Sequence, residues 1–289
     1  MKEQQYILEN ATSFEPKHIF DCGQCFRWDE EADASYTGIV KNNVINVKKV
    51  DNSLVFKSVG ADNLEQLVID YFDLNRNYEK IKNELSKIDE YLANSINYGN
   101  GIRILNQDLW ETIISFIISA NNNIPRIKGI INRMSQKYGT EIIWNEKKYY
   151  TFPTVENLSK ATVEDLRGLG LGFRDVRVYN TTHKILEKQV NLKELYQEKD
   201  TQKVRNILLI LDGVGPKVAD CILLFSTLKR FDVFPIDVWV RRVMNELYIK
   251  NEDETKVNKK DIEKLAKEKY GNLEGIAQQY LFYWKRDTA

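Results

Sequence analysis

Hydrophobic and polar positions change rhythm once along this chain. Over residues 26–59 apolar side chains alternate with polar ones in short runs at 26–28, 36–40, 44–50 and 54–59. A two-residue period places alternate side chains on opposite faces of a strand. Asn42-Asn43 and Asp51-Asn52 supply turn chemistry between the runs, so an antiparallel meander is expected. Helices are expected after it at 63–72 and 78–92. Beyond Gly99-Asn100-Gly101 the period becomes helical and the strands are expected to stop. The helical segments fall at 107–119, 125–138, 162–167, 174–188, 201–211, 216–226, 238–248, 259–270 and 272–285, most of them separated by Gly, Asn or Pro. No low-complexity tract or fixed-period repeat interrupts them. The pattern predicts an α+β chain: a small N-terminal antiparallel β-sheet domain with flanking helices over 1–98, then a larger all-helical domain over 99–289.

A length of 289 residues is enough for two such units, each with its own core. With 43% hydrophobic and 29% charged residues the composition is that of an ordinary globular protein. No apolar run is long enough to span a bilayer, and the start MKEQQYILEN lacks a signal-peptide core. The expectation is a cytoplasmic protein (nucleoid-associated if bacterial) with no membrane partner. Three cysteines are too few for a disulfide scaffold. Cys22-Gly23-Gln24-Cys25 has the spacing of a metal half-site, but there is no second pair and His18 is the only nearby histidine. Two reduced thiols and no metal are expected. The 42 basic and 42 acidic residues balance to a net charge of zero, which neither supports nor excludes nucleic acid, because a local patch suffices for phosphate contacts. Arg126, Lys128, Arg133, Arg174, Arg177, Lys217, Arg241 and Arg242 do fall around the turn-and-helix segments.

One of those turns carries chemistry. The run Ile207-Leu208-Leu209-Ile210-Leu211 meets Asp212-Gly213-Val214-Gly215, and a second helix starts at Pro216, a residue favoured in the first helical turn. Gly213 and Gly215 let the backbone turn sharply and bring N–H groups within reach of an anion, best a DNA phosphate. Lys217 follows in the first turn of its helix. The dipole and partial burial there both predict a lowered pKa, and a free amine can attack a sugar C1′ to form a Schiff base. A surface lysine paired with Asp220 is the alternative. Asp237, placed before Val238-Trp239-Val240-Arg241-Arg242, is a good N-cap, and a capping carboxylate facing a cleft can also stabilise a sugar cation. Leu169-Gly170-Leu171-Gly172-Phe173-Arg174 echoes the Gly-x-Gly turn. Lys217 and Cys221 share one side of a helix, as do Gln278 and Phe282. Phe282 reads equally as core beside Tyr280, Tyr283 and Trp284, Gly23 as a strand bend, and the asparagines of 121–123 as a turn between helices.

The hairpin, its lysine and Pro235-Ile236-Asp237-Val238 resemble the helix-hairpin-helix superfamily of DNA base-excision glycosylases. The endonuclease III and adenine-mismatch branches usually hold an iron–sulfur cluster on four C-terminal cysteines, and this chain has none after Cys221. The 3-methyladenine branch generally lacks the lysine. Gly215-Pro216-Lys217-Val218-Ala219-Asp220-Cys221, Ala277-Gln278-Gln279-Tyr280-Leu281-Phe282, Cys22-Gly23-Gln24-Cys25-Phe26-Arg27-Trp28 and Asn121-Asn122-Asn123-Ile124-Pro125-Arg126 are similar to the 8-oxoguanine DNA glycosylase family. That likeness covers nearly the whole chain.

The resemblance implies a helix-hairpin-helix glycosylase fold and a role for each matched residue. Lys217 is the nucleophile and Asp237 its catalytic partner. Cys221 lies against the flipped base, Phe282 stacks on it and Gln278 reads its Watson–Crick edge. The Gly23 carbonyl accepts the N7–H that oxidised guanine has and guanine lacks. Asn121 and Arg126 contact the orphaned cytosine with Arg174 beside them, Phe173 wedges the duplex, and Gly213 and Gly215 belong to the phosphate grip. The implied activity is that of a bifunctional DNA glycosylase and AP lyase excising 8-oxoguanine, preferably opposite cytosine. The implied partner is duplex DNA bearing that lesion, met by a monomer without cofactor, although the family allows a cation on the hairpin carbonyls. A glycosylase for other damaged purines and a non-catalytic DNA-structure-binding protein are the alternatives. Asp212 stands where proline is common, Phe173 where tyrosine is frequent, and Trp239 where many members direct a histidine at a phosphate.

Overall fold

The computed structural model describes residues 3–253 and 256–288. The chain begins with β1 (Glu3–Leu8), α1 (Pro16–Asp21), β2 (Trp28–Glu30), β3 (Tyr36–Val40), β4 (Asn43–Val50) and β5 (Ser53–Val59). Then come α2 (Leu64–Tyr71), α3 (Tyr78–Leu85), α4 (Glu90–Tyr98), α5 (Leu109–Ser119) and α6 (Ile124–Tyr138), followed by a hairpin of β6 (Glu141–Trp144) and β7 (Lys147–Tyr150). The remainder is helical: α7 (Val155–Leu158), α8 (Val163–Gly168), α9 (Asp175–Leu186), α10 (Leu192–Gln197), α11 (Thr201–Leu208), α12 (Pro216–Phe225), α13 (Val238–Met244), α14 (Lys259–Tyr270) and α15 (Glu274–Thr288).

The expected meander is present as β2-β3-β4-β5, and β1 adds an antiparallel edge strand against β5, with Gln4 opposite Ser58. That edge was not expected. Its alternation is shallow, and what orders it is backbone pairing with β5 plus a hydrogen bond from the Gln4 amide to the Ala61 carbonyl, 2.6 Å. The expectation that strands stop after residue 101 is corrected by β6 and β7. They join through Asn145 and Glu146, whose φ values of +48° and +60° make the two-residue turn that matches hairpin twist. The segment 78–92 is two helices, because Asp89 accepts a hydrogen bond from the Leu92 N–H at 2.9 Å and starts α4 afresh. Asp108 does the same for α5 through the Glu111 N–H, so that helix starts at Leu109. The helix expected to 248 narrows to α13 and runs on as a wider π-type turn over Asn245–Ile249.

Two cores result. One lies under the sheet and is rich in aromatics, with Phe20 stacked on Trp28 at 4.1 Å between ring centres. The other runs through the helices and is built from α5, α12, α13 and α15 among others. The segment 22–28 is the seam: Cys22 and Phe26 bury into the helical core, while Cys25 and Trp28 bury into the sheet core. Gln24, fully buried between them, donates to the Arg103 carbonyl at 2.8 Å and accepts from the Leu105 N–H at 2.8 Å. Both thiols of the half-site are buried and free. Among the described residues no helix is long and apolar enough to cross a membrane, and no group of three or more His, Cys, Asp or Glu could hold a metal ion.

Candidate active site

The hairpin connects α11 to α12. After α11 the chain closes through short turns, Val214 N–H donating to the Leu211 carbonyl at 3.1 Å, and Gly213 takes a φ of +83°. A side chain at Gly213 would also sit 3.0 Å from Ile117 and 3.1 Å from Arg177, so glycine is required twice over. Gly215 differs: its φ is −89°, and no described atom lies within 4 Å of where a Cβ would stand. Packing does not explain that glycine. Asp212 is held from α9, with Lys184 at 2.9 Å from its carboxylate and the Thr181 hydroxyl donating to its carbonyl at 2.9 Å.

Lys217 projects from the first turn of α12, half-buried, its Nζ 5.6 Å from the centre of the Phe116 ring on α5. Cys221, one turn on, is buried. Asp237 caps α13 by accepting the Val240 N–H at 2.8 Å, as its sequence context predicts. α15 brings Gln278 and Phe282, and the seam brings Gly23. All six residues expected to be catalytic or base-binding (Lys217, Asp237, Gly23, Cys221, Gln278 and Phe282) therefore line one pocket, although they come from four separated stretches of sequence. Phe282 is half-buried at the pocket wall, and its ring edge is 3.6 Å from where a side chain on Gly23 would begin. Gly23 itself has a φ of +83°. The Gln278 side-chain oxygen is buried with no hydrogen-bond partner among the described residues, a costly arrangement unless a ligand donor meets it.

Electrostatics here correct one expectation. The Lys217 pKa is raised, not lowered. The largest cause is the charge of an ionised Cys221, with Asp237 adding to it against the desolvation that the sequence argument emphasised. Burial pushes the Cys221 thiol itself up to about 11. Nor does Asp220 pair with Lys217: its carboxylate is buried against Arg205 of α11 at 2.8 Å.

A larger cavity, about 370 Å³, lies against another face of α12. Its polar groups already have partners, Arg205 with Asp220 at 2.8 Å, Thr201 with Asp232 at 3.0 Å and Lys267 with Glu274 at 3.5 Å. The smaller pocket holds Lys217 and the unmatched acceptor, and size is the weaker guide.

The residues expected at the opposite strand gather where α5 ends. Asn121 follows α5 with a φ of +50°, and Asn123 caps α6 by accepting the Arg126 N–H at 3.0 Å. Arg126 is exposed and donates to the Gly170 carbonyl at 3.2 Å. Phe173 is 55% exposed, with Arg174 and Arg177 guanidinium carbons 4.2 and 5.1 Å from its ring centre. Arg174 is buried, and its guanidinium donates to the carbonyls of Ala120, at 2.9 and 2.6 Å, Asn121, at 2.6 Å, and Leu171, at 3.2 Å. It lies beneath the loop that carries Asn121, with Phe173 over it. Trp239, 47% exposed on α13 beside Asp237, has Arg242 at 5.7 Å from its ring. Phe116, Cys22 and Gln279 also line the pocket and were not anticipated. Phe116 sits in a run of apolar residues indistinguishable from core, and Gln279 had no signal beyond its neighbour.

A glycine hairpin whose second helix sets a half-buried lysine in one pocket with an aspartate that caps the next helix defines a DNA glycosylase of the helix-hairpin-helix class. Residues 114–270 match the HhH-GPD superfamily of base excision DNA repair proteins, and residues 6–113 match the N-terminal domain of 8-oxoguanine DNA glycosylase. The chain belongs to the 8-oxoguanine DNA glycosylase family. It is similar to the 8-oxoguanine glycosylase/lyase of Clostridium acetobutylicum, solved with double-stranded DNA containing cytosine opposite 8-oxoguanine: 41% identity, TM-score 0.93, covering 99% of this chain and 97% of that one. It is 32% identical over 256 residues to the N-glycosylase/DNA lyase of Saccharomyces cerevisiae, 80% of this chain and 67% of that protein. It is 31% identical over 231 residues to a probable N-glycosylase/DNA lyase of Methanothermobacter thermautotrophicus, 73% of this chain and 71% of that protein.

Proposed function

We propose that this protein excises 8-oxoguanine from duplex DNA and then cleaves the strand at the abasic site, as a monomeric bifunctional glycosylase and AP lyase of base excision repair, with cytosine the preferred opposite base. The observation that carries the reading is the single pocket joining Lys217, Asp237, Cys221, Gln278, Phe282 and Gly23. The hairpin takes a phosphate, and the open space at Gly215 lets that phosphate approach the backbone. Phe173 enters the duplex as the lesion is extruded. Asn121 and Arg126 meet the orphaned cytosine, whose O2 and N3 accept hydrogen bonds, while Arg174 supports the loop that carries Asn121.

In the pocket Phe282 and Cys221 flank the base. Gln278 offers its amide to the Watson–Crick edge, and the donor it meets there satisfies the buried oxygen. The Gly23 carbonyl accepts from N7–H and repels the N7 lone pair of guanine. Lys217 must lose a proton before it attacks, because its raised pKa keeps it ammonium at neutral pH. The free amine then bonds to C1′ as the N9–C1′ bond breaks and its electrons leave with the base. Asp237 stabilises the positive charge that develops on the sugar. Ring opening gives the imine, and loss of the C2′ proton expels the 3′ phosphate by β-elimination.

Borohydride trapping on a duplex with 8-oxoguanine opposite cytosine tests this. A covalent adduct with the wild type that is lost in Lys217→Gln supports it, and lyase activity surviving in Lys217→Gln removes Lys217 as nucleophile.

A further inference from the structure

The Gly23 carbonyl can discriminate only if it cannot turn away. A glycine at a φ of +83° has no side chain to hold it, so the peptides on either side must be held by something else. On the N-terminal side, the Cys22 carbonyl accepts a hydrogen bond from the Gln279 side chain at 2.5 Å, reaching from α15 across the pocket wall. Gln279 is 2% exposed, so water does not compete for that donor. On the C-terminal side, the Gly23–Gln24 peptide carries the Gly23 oxygen and the Gln24 N–H on one plane. The Gln24 side-chain amide donates to the Cys22 sulfur at 3.3 Å, and that sulfur donates to the Ile19 carbonyl at 3.2 Å. One residue further, Gln107 donates to the Gln24 carbonyl at 2.7 Å and ties the seam to the end of α12 through the Phe225 carbonyl at 3.1 Å.

We infer that Gln279, acting through the Cys22 carbonyl, is a positioning residue for lesion selectivity, with the Cys22 sulfur as its counterpart on the other side of Gly23. The inference rests on the proposed reading of Gly23 as the N7–H acceptor. Gln279 is adjacent to the base-reading Gln278, and two successive side chains on a helix diverge by about 100°. One therefore faces the base while the other faces the seam, and α15 sets both edges of the base site from consecutive positions. Freed from its clamps, the glycine peptide can rotate and turn its N–H toward the base. A donor there suits the N7 of undamaged guanine as well as the carbonyl suits the lesion. Loss of the clamp should therefore erode the choice between the two bases and not merely slow the reaction.

The test uses the whole chain as wild type, Gln279→Met, which keeps length and apolar volume without the donor, and the pair Cys22→Ala and Cys22→Ser, the serine retaining an acceptor for the Gln24 side-chain amide. Three quantities are measured: excision of 8-oxoguanine opposite cytosine, the ratio of affinities for lesion and undamaged duplexes, and strand cleavage at a preformed abasic site, where there is no base to read. Gln279→Met and Cys22→Ala should each lower excision and the affinity ratio by about tenfold, with abasic cleavage within about threefold of wild type and Cys22→Ser largely restored. An unchanged affinity ratio in Gln279→Met overturns the inference, and so does a loss of abasic cleavage equal to the loss of excision, which marks a purely structural role. A wild type that cleaves abasic DNA but leaves 8-oxoguanine in place fails differently: the reading of Gly23 falls, and this inference with it.

Discussion

In the pocket around Lys217 a carboxamide oxygen is buried with no partner among the described residues, whereas in the loop around Arg174 four hydrogen bonds hold one buried guanidinium on three carbonyls. Both regions lie along α5, which gives Phe116 to the first and runs into Asn121 at the second. The pocket keeps a deficit of roughly 1–3 kcal/mol that an incoming donor can remove. The loop has no such deficit at Arg174, so its stability is highest when it stays as it is. A site proposed to recognise a base and a scaffold proposed to hold a wedge in place thus treat the same kind of buried polar atom in opposite ways. Phe173 shows the consequence, exposed over two arginines that keep it ready without burying it.

Substitutions can break this contrast. Lys217→Gln should have the largest effect, lowering borohydride-trapped adduct and strand cleavage by a thousandfold or more, roughly the scale of losing a nucleophile, with the melting temperature little changed. If the adduct persists, the pocket is not the reactive region. Arg174→Met should act on the other side. The Ala120 and Asn121 carbonyls lose their side-chain donor, Leu171 keeps the Arg174 backbone N–H, and urea unfolding should report a loss of about 3 kcal/mol, more than a hundredfold in the folding equilibrium. A loss under about 0.5 kcal/mol would mean the guanidinium is dispensable to the loop, and the contrast would collapse.

Gln278→Leu sharpens the comparison from the pocket side. It should cut excision about thirtyfold while leaving stability equal to wild type or about 1 kcal/mol higher, because it removes a buried atom that had no partner. Marked destabilisation would show that the oxygen is matched in solution. The smallest effect is in pH. With the Lys217 pKa above the ordinary 10.5, the free amine grows about tenfold per pH unit through neutrality, and single-turnover trapping on abasic DNA should rise with it. A profile that is flat from about pH 6 to about pH 9 would show that the proton has already gone.

Much of this was legible in advance where the physics is local. The meander follows from period-two alternation, and the start of α12 from Pro216. Asp237 reads as a cap because capping depends on its own helix alone. Where neighbours decide, the pattern misled. β1 has little alternation and is ordered by β5, and β6–β7 owes its existence to a turn that pairs two strands inside a helical region. Phe116 looks like any core residue of α5 until α12 sets Lys217 above it. Arg174, expected beside the opposite-base contacts, also grips the backbone of its own loop, which no local pattern foretells.

By itself, the sequence determined the parts whose causes lie within a few residues: a glycine turn that must bend, a lysine in the turn after it, an aspartate ready to cap, and Gln278 and Phe282 one turn apart. Tertiary structure alone decided that these face one another. Desolvation can be anticipated from a helix that packs into a core. The charge that reverses the Lys217 shift is first that of an ionised Cys221, one turn along the same helix, and then that of Asp237, whose distance only the folded chain sets. The same reason hid Gln279, whose hydrogen bond to Cys22 links the two ends of the chain.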